Sequence, residues 1–254
     1  MKFFFNASNT KESKIAKKNF VKKFGQFSVE KADIIIPIGG DGFLLKNLHD
    51  FNELNKPFFG INYGSLGFLM NLKLRNISKL KKIIELSKET VLYPLEMNAT
   101  NSKNKTFKSI AYNEVAIMRQ THLAAKINIK INKIERMKEV ICDGVLVSTA
   151  AGSTAYNLSA HGSIIPMDSN LLALTPISTF RPRRWRGALL KQNTKIDFKV
   201  LDFKNRPASV TADNSEFRDI KNVKIKSSTK NSCKILFDSN YSIEERILKE
   251  QFYS

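Results

Sequence analysis

Cysteine is scarce in this chain of 254 residues, which carries only Cys142 and Cys233. They lie far apart, without companion Cys or His at ligand spacing, so neither a zinc site nor a disulfide framework is indicated. Long apolar runs are missing too. None approaches the roughly 20 residues that span a bilayer, and the start, MKFFFNASNT, is too short and too polar beyond Phe5 for a signal peptide. The expected location is cytoplasmic, with no membrane partner. No GxxxxGK[ST] loop and no GxGxxG occurs, which excludes a P-loop kinase and a standard dinucleotide dehydrogenase. Acidic residues are also few: 23 against 42 Lys and Arg, a formal net charge of +19.

That charge invites a nucleic-acid reading. Its distribution argues against one, because the lysines are scattered (Lys17, Lys22, Lys81, Lys103, Lys224) rather than gathered into an arm or repeat. A diffuse positive field suits solubility and the attraction of small anions equally well. The one dense cluster, Arg181-Pro182-Arg183-Arg184-Trp185-Arg186, reads either as a phosphate-binding loop or as an interface or solvated edge. With 42% hydrophobic and 26% charged residues the chain is an ordinary folded protein, long enough for one large domain or two modest ones.

The stretch that organises the rest is Asp33 to His49, DIIIPIGGDGFLLKNLH. A β-branched run (Ile34, Ile35, Ile36, Ile38) ends in Gly39-Gly40-Asp41-Gly42, and an amphipathic segment follows, so the order is strand, tight glycine turn, helix. The glycines let backbone come close to a ligand, and the first N–H groups of the helix favour a phosphate. Asp41 among them either accepts a proton or orders a cation, or is an Asx-type residue that shapes the turn.

Strands are expected at residues 2–5, 33–38 and 57–62, and helices at 11–24, from Phe43 to before Asn55, and at 76–88. The alternation predicts an open, mostly parallel α/β domain over residues 1–90, with ligands at the carboxyl ends of its strands. Gly64 and Gly67 mark a second close approach at that edge. From Val91 short strands with two-residue alternation (112–118, 125–131, 139–147, 194–201, 223–226) predict a β-rich, sandwich-like domain over 91–228. Residues 229–254 read as a segment returning to the first domain. Its stretch SIEERILKEQ carries a capping box, Ser242 with Glu245, and predicts a terminal helix packing back on that domain.

Two further stretches carry chemistry. Asn113-Glu114 supplies an amide and a carboxylate to a ribose or base edge, or is an ordinary pair on a solvated strand. Residues 143–162 gather small residues, hydroxyls and Tyr156. They read as a ligand loop with a base-stacking ring or as a Ser/Thr-rich turn that caps a helix.

Taken together, Gly39-Gly40-Asp41-Gly42, Gly60-Ile61-Asn62 with Gly64, Leu66-Gly67-Phe68-Leu69, Asn113-Glu114, Asp143-Gly144, Gly152-Ser153-Thr154-Ala155-Tyr156 and Thr175-Pro176-Ile177 stand in the order seen in the NAD kinase family. The chain resembles that family over roughly residues 33–216. The resemblance implies transfer of a terminal phosphoryl group, from ATP or polyphosphate, to the 2′-hydroxyl of the adenosine ribose of NAD, giving NADP. It implies an α/β domain and a β-sandwich, homodimers or homotetramers, and Mg²⁺ or another divalent cation with the ATP, no protein metal site being assigned. Carried over by position, Asp41 is the proton acceptor, Gly40 and Gly42 lie in the ligand turn, and Lys46 faces the phosphates. Asn113 and Glu114 hold the adenosine portion, and Asp143 lies near the nicotinamide half. Ala151, Thr154, Ala155, Tyr156, Asn157, Leu158 and Ser159 line the dinucleotide, with Ser178 beside them. Phe43 stands where the family usually has Thr, Ala150-Ala151 where it has Pro-Thr, and His161 where Gly is common; the Gln that usually follows Asp213 is absent. These departures match a bacterial subgroup with GGDGF. Another GGDG-type small-molecule or lipid kinase, and a basic nucleic-acid binder, are the competing readings.

Overall fold

The computed structural model describes residues 1–64, 67–240 and 245. It divides into two units: Met1–Leu92 with the described residues from Asn231 onward, and Tyr93–Lys230.

The first unit begins with β1 (Phe3–Ala7), α1 (Lys11–Phe24), β2 (Ile34–Gly39), α2 (Asp41–Phe51), β3 (Ile61–Asn62), α3 (Leu80–Glu85) and β4 (Lys88–Leu92). β1, β2 and β3 are parallel, with β2 in the centre. All six β2 residues are buried, which is why this strand reads as a continuous apolar run. α1 starts where the Thr10 hydroxyl accepts the Ser13 N–H at 3.2 Å and ends at Gly25, φ +77°. Its Phe20 stacks on Phe5 with centroids 5.4 Å apart.

Only Ile61–Asn62 of the expected 57–62 strand is a ladder. Phe58 makes single parallel bridges, to Ile35 on one side and Ile235 on the other. The strand Cys233–Phe237 thereby joins this sheet, and β4 pairs antiparallel with it, Leu92 opposite Cys233. The helix expected at 76–88 is shorter than its periodicity suggested. It is a 3₁₀ turn, Ile77–Lys79, followed by α3, and it stops because the Ser87 hydroxyl takes the Ile84 carbonyl at 2.6 Å. Ser65, Leu66 and, apart from Glu245, the expected terminal helix lie outside the described residues.

The second unit contains β5 (Leu95–Asn101), β6 (Thr106–Ala111), β7 (Glu114–Arg119), β8 (Ala125–Ile131), β9 (Ile134–Cys142), β10 (Gly144–Ser148), α4 (Tyr156–Ser159), β11 (Leu171–Ile177), β12 (Ala188–Lys191), β13 (Ile196–Leu201), β14 (Ala208–Ala212), β15 (Ser215–Phe217) and β16 (Ile220–Ser227). They form two antiparallel sheets, in the orders β12-β11-β10-β7-β14-β15 and β6-β5-β16-β13-β8-β9. Inward residues of both sheets, among them Val115, Val145, Val147 and Val210 from one and Met97, Ile127, Phe198 and Val223 from the other, share one core. That is the sandwich expected from the alternation.

One expected strand is really two. Residues 139–147 were to be continuous, but the chain breaks at Asp143: β9 belongs to one sheet and β10 to the other. Gly144 allows the crossing, since a Cβ there would stand 2.1 Å from the Ile117 carbonyl oxygen.

Candidate active site

In the first unit the chemistry sits where β2 becomes α2. Gly40 is the N-cap, in extended conformation (φ −107°, ψ −178°), and Asp41 is the first helical residue. The Asp41 carboxylate accepts the Phe68 N–H at 2.6 Å and the Leu69 N–H at 3.2 Å, so the second glycine turn holds the first one's acid. Close packing explains the glycines around it. A Cβ on Gly67 would come within 2.8 Å of Asp41 Oδ1, and one on Gly64 within 3.1 Å of the Gly40 Cα. Asn62 Oδ1 accepts the Gly64 N–H at 2.8 Å and so sets that turn. A Cβ on Gly42, by contrast, would meet nothing within 4 Å. Space is open there, in the first turn of α2. Lys46 is exposed on the same helix and makes no ion pair among the described residues. Phe43 packs its ring against Gly39, where a Cβ would meet it at 3.0 Å.

In the second unit the sequence-distant motifs Asn113-Glu114 and Gly152-Ser153-Thr154 are brought into contact. Gly152, in the 3₁₀ turn Ala151–Thr154, lies directly on Asn113: a Cβ there would be 2.3 Å from the Asn113 carbonyl oxygen and 2.5 Å from its Cα. The Thr149 N–H donates to the Asn113 carbonyl at 2.9 Å, and its hydroxyl to the Tyr112 carbonyl at 2.6 Å. From the other side Asp213, in the β14–β15 turn at φ +47°, accepts the N–H groups of Tyr112, Asn113 and Glu114 at 2.7, 2.9 and 3.4 Å. These bonds take Tyr112 and Asn113 out of the ladder, so β7 starts at Glu114 and not at the expected Tyr112.

The side chains so held end in unused acceptors. Asn113 Oδ1 and Glu114 Oε2 are buried without a hydrogen-bond partner. Burial, and then the charge of Asp213, pushes the Glu114 carboxyl up to about 7. Tyr156 is 36% exposed, with its hydroxyl 3.4 Å from Met118 Sδ. Its phenol is raised by burial, with Glu114 and Asp143 adding to the effect. Asp143, at the strand break, pairs with Arg119 at 2.6 Å. Thr154, Ala155 and Leu158 are half-buried and Ser159 is exposed, while Ala151 is buried. Asn157 is 0% exposed: its amide donates to the Ser153 and Ser163 carbonyls and accepts from Thr175 Oγ1. It therefore shapes the loop from within. Ser178 is exposed, at φ +48°, just after β11.

Asp213 and Arg119, which help hold the candidate groups in place, were not among the residues singled out for the site, and Thr149 was read only as one hydroxyl of the 143–162 stretch. Asp213 entered only through the resemblance, as the aspartate whose usual following Gln is absent here.

These two units match two family models, described as the ATP-NAD kinase N-terminal domain over residues 2–90 and the ATP-NAD kinase C-terminal domain over 112–230. The pair defines a kinase. A protein of Xylella fastidiosa (strain 9a5c) named NAD kinase is 46% identical over 248 residues, covering 98% of this chain and 95% of that protein. One of Rickettsia bellii (strain OSU 85-389), also named NAD kinase, is 51% identical over 232 residues, 91% and 90% of the two chains. The fold is shared with yeast NADH kinase complexed with NADH (TM-score 0.82, 18% identity, 100% of this chain and 87% of that one). It is shared as well with an NAD kinase from Archaeoglobus fulgidus in complex with ATP (TM-score 0.77, 22% identity, 98% of each). The chain belongs to the NAD kinase family and is an enzyme of that family.

Proposed function

We propose that the chain transfers the terminal phosphoryl group of ATP, or of polyphosphate, to the 2′-hydroxyl of the adenosine ribose of NAD, with Asp41 receiving the hydroxyl proton. The observation that carries this reading is the Asp41 carboxylate held by the Phe68 and Leu69 N–H groups at the start of α2, one residue before Gly42, where a Cβ would meet nothing within 4 Å. A ribose hydroxyl is far less acidic than a carboxylic acid, so complete deprotonation before attack is strongly uphill. In a loose phosphoryl-transfer transition state the nucleophile needs orientation more than early ionisation. An anchored carboxylate provides that orientation and collects the proton as the new P–O bond forms. Gly40 and Gly42 give backbone access, and Lys46 offers positive charge to the donor. Asn113 and Glu114 take hydroxyl or amino hydrogens of the adenosine, and Tyr156 forms a wall, with Thr154, Ala155, Leu158 and Ser159 around it. Asp143 and Ser178 border the far half of the dinucleotide, and Ala151 and Asn157 act by shaping the loop.

A divalent cation such as Mg²⁺, bound mainly by the donor phosphates, supplies charge neutralisation when present. Among the described residues no three His, Cys, Asp or Glu side chains gather as a metal cage, and Asp41 is the carboxylate in the turn that would face such an ion. We place the enzyme in the cytoplasm as a homodimer or homotetramer; among the described residues no helix is long and apolar enough to cross a membrane. The decisive experiment supplies NAD or NADH with ATP or polyphosphate and measures NADP(H). Asp41→Asn is expected to keep NAD binding and to lose a factor of roughly 10² to 10⁴ in turnover. Turnover close to wild type in that variant overturns the role of Asp41. Phosphorylation of a lipid in place of NAD overturns the substrate.

A further inference from the structure

Both oxygens of the Asp213 carboxylate are engaged by backbone. Oδ2 accepts the Tyr112 N–H at 2.7 Å, and Oδ1 accepts those of Asn113 at 2.9 Å and Glu114 at 3.4 Å. The Asp213 N–H in turn donates to the Glu114 carbonyl at 3.2 Å. From the other edge the Thr149 N–H and hydroxyl donate to the Asn113 and Tyr112 carbonyls, and Gly152 packs on Asn113. Little freedom is left to this backbone. The side chains it carries are the opposite case, since Asn113 Oδ1 and Glu114 Oε2 are buried without a hydrogen-bond partner. Such acceptors are costly unless a ligand brings hydrogens to them, and one ligand meets both only if their spacing is fixed.

We propose that Asp213 is a positioning residue of the dinucleotide site: by accepting three successive N–H groups it fixes the backbone from which Asn113 and Glu114 present their oxygens. This rests on the reading that the pair binds the dinucleotide. The residue type follows from the chemistry of the clamp. Converging N–H groups need a partner that only accepts, and an ionised carboxylate offers two such oxygens on one short stem. Asn is the same size, but its NH₂ replaces one oxygen and faces an N–H group, donor against donor. Glu keeps both oxygens on a stem one methylene longer, so it retains the clamp in part. The position suits the task as well. β14 pairs with β7 as far as Ala212 opposite Val115, so Asp213, the next residue, closes the end of that ladder just where Glu114 opens β7. Its φ of +47° is one that Asp tolerates.

The test reads the clamp first without ligand, by amide hydrogen exchange in the NAD-free protein. Asp213→Asn is expected to speed exchange at Tyr112 and Asn113 by roughly tenfold or more, while Ile117, in the middle of β7, keeps its wild-type rate. NAD affinity is then measured by calorimetry in two backgrounds. In the otherwise wild-type chain Asp213→Asn weakens NAD binding by roughly tenfold or more; in the Asn113→Ala/Glu114→Ala chain, which lacks the side chains being aimed, the same change has an effect of less than about twofold. Asp213→Glu falls between wild type and Asp213→Asn in both readouts. Wild-type exchange at Tyr112 and Asn113 in Asp213→Asn, or exchange raised equally throughout β7, overturns the proposal. So does an equal loss of NAD affinity in the two backgrounds, which is what a purely structural residue gives. Should Asp213→Asn fail to fold, Asp213→Glu takes its place, with the same localised speeding of exchange expected and the same results overturning the proposal. The exchange comparison needs no NAD, so a wild-type protein that binds no NAD refutes the proposed function, while the clamp still stands or falls on the Tyr112 and Asn113 amides.

Discussion

Gly152→Ala is the sharpest test of how the second unit assembles its site. The new methyl would stand 2.3, 2.4 and 2.5 Å from three backbone atoms of Asn113, none of which can swing aside as the end of a side chain could. The 3₁₀ turn must move outward. Overpacking of this kind costs about 1–3 kcal/mol. The shift also strains the Gly152 N–H bond to Thr149 Oγ1 and the Thr149 bond to Tyr112, at 3.1 and 2.6 Å, each worth about 1 kcal/mol net. A total of about 3 kcal/mol lowers the thermal midpoint by roughly 6–12 °C in a chain of this size. NAD affinity falls at least tenfold, because the turn carries Thr154 and leads into Tyr156. Gly42→Ala is the control of opposite sign. Its methyl meets nothing and its backbone is helical, so stability holds or rises by about 0.5 kcal/mol, while kcat/KM falls because the methyl fills the open space one residue from Asp41. Scanning fluorimetry, calorimetry with NAD and steady-state rates decide. A Gly152→Ala protein with wild-type melting and NAD affinity refutes the contact on which this rests.

Three further outcomes are expected. Glu114→Gln removes a carboxyl whose pKa is raised from 4.5 to about 7, so wild type loses stability as pH rises across that window and Gln does not. Urea titrations should therefore show Glu114→Gln more stable by about 3 kcal/mol at pH 8 and equal near pH 4. Asn157→Ala leaves two carbonyls and the Thr175 hydroxyl without their partner in a wholly buried position, and should cost about 2–4 kcal/mol in the same titration. His161 stands at φ +60° where the family commonly has Gly; His161→Val should cost about 1–2 kcal/mol and His161→Gly essentially nothing.

Much of the first unit was legible because its signals are local. The run Ile34–Ile38 is buried on both faces, and the glycine turn and α2 follow within a few residues, so periodicity and turn chemistry coincide. The parts that were misread are those decided by distant partners. Lys88 looked like the end of a helix, yet it opens a strand because Phe237 waits opposite it. Val147 and Glu139 alternate as one strand, but Asp143 hands the chain from one sheet to the other. Alternation reports which faces are buried and is blind to which sheet does the burying.

The same division runs through the site. Gly39 to Gly42 announces itself because several small residues around one acid are rare in a strand-to-helix turn. Asp213 stood out only as a position matched by the resemblance and gave no sign of its partners, since its bonds to Tyr112, Asn113 and Glu114 span 99 to 101 positions. Thr149 and Arg119 are likewise ordinary residues until the sandwich closes around them. Residues that touch a ligand carry unusual local chemistry, whereas residues that aim them are common types made consequential by topology. That is why substitutions at Gly152 and Asp213, neither of which supplies a reacting group, test the arrangement of this site more severely than a further change at Asp41.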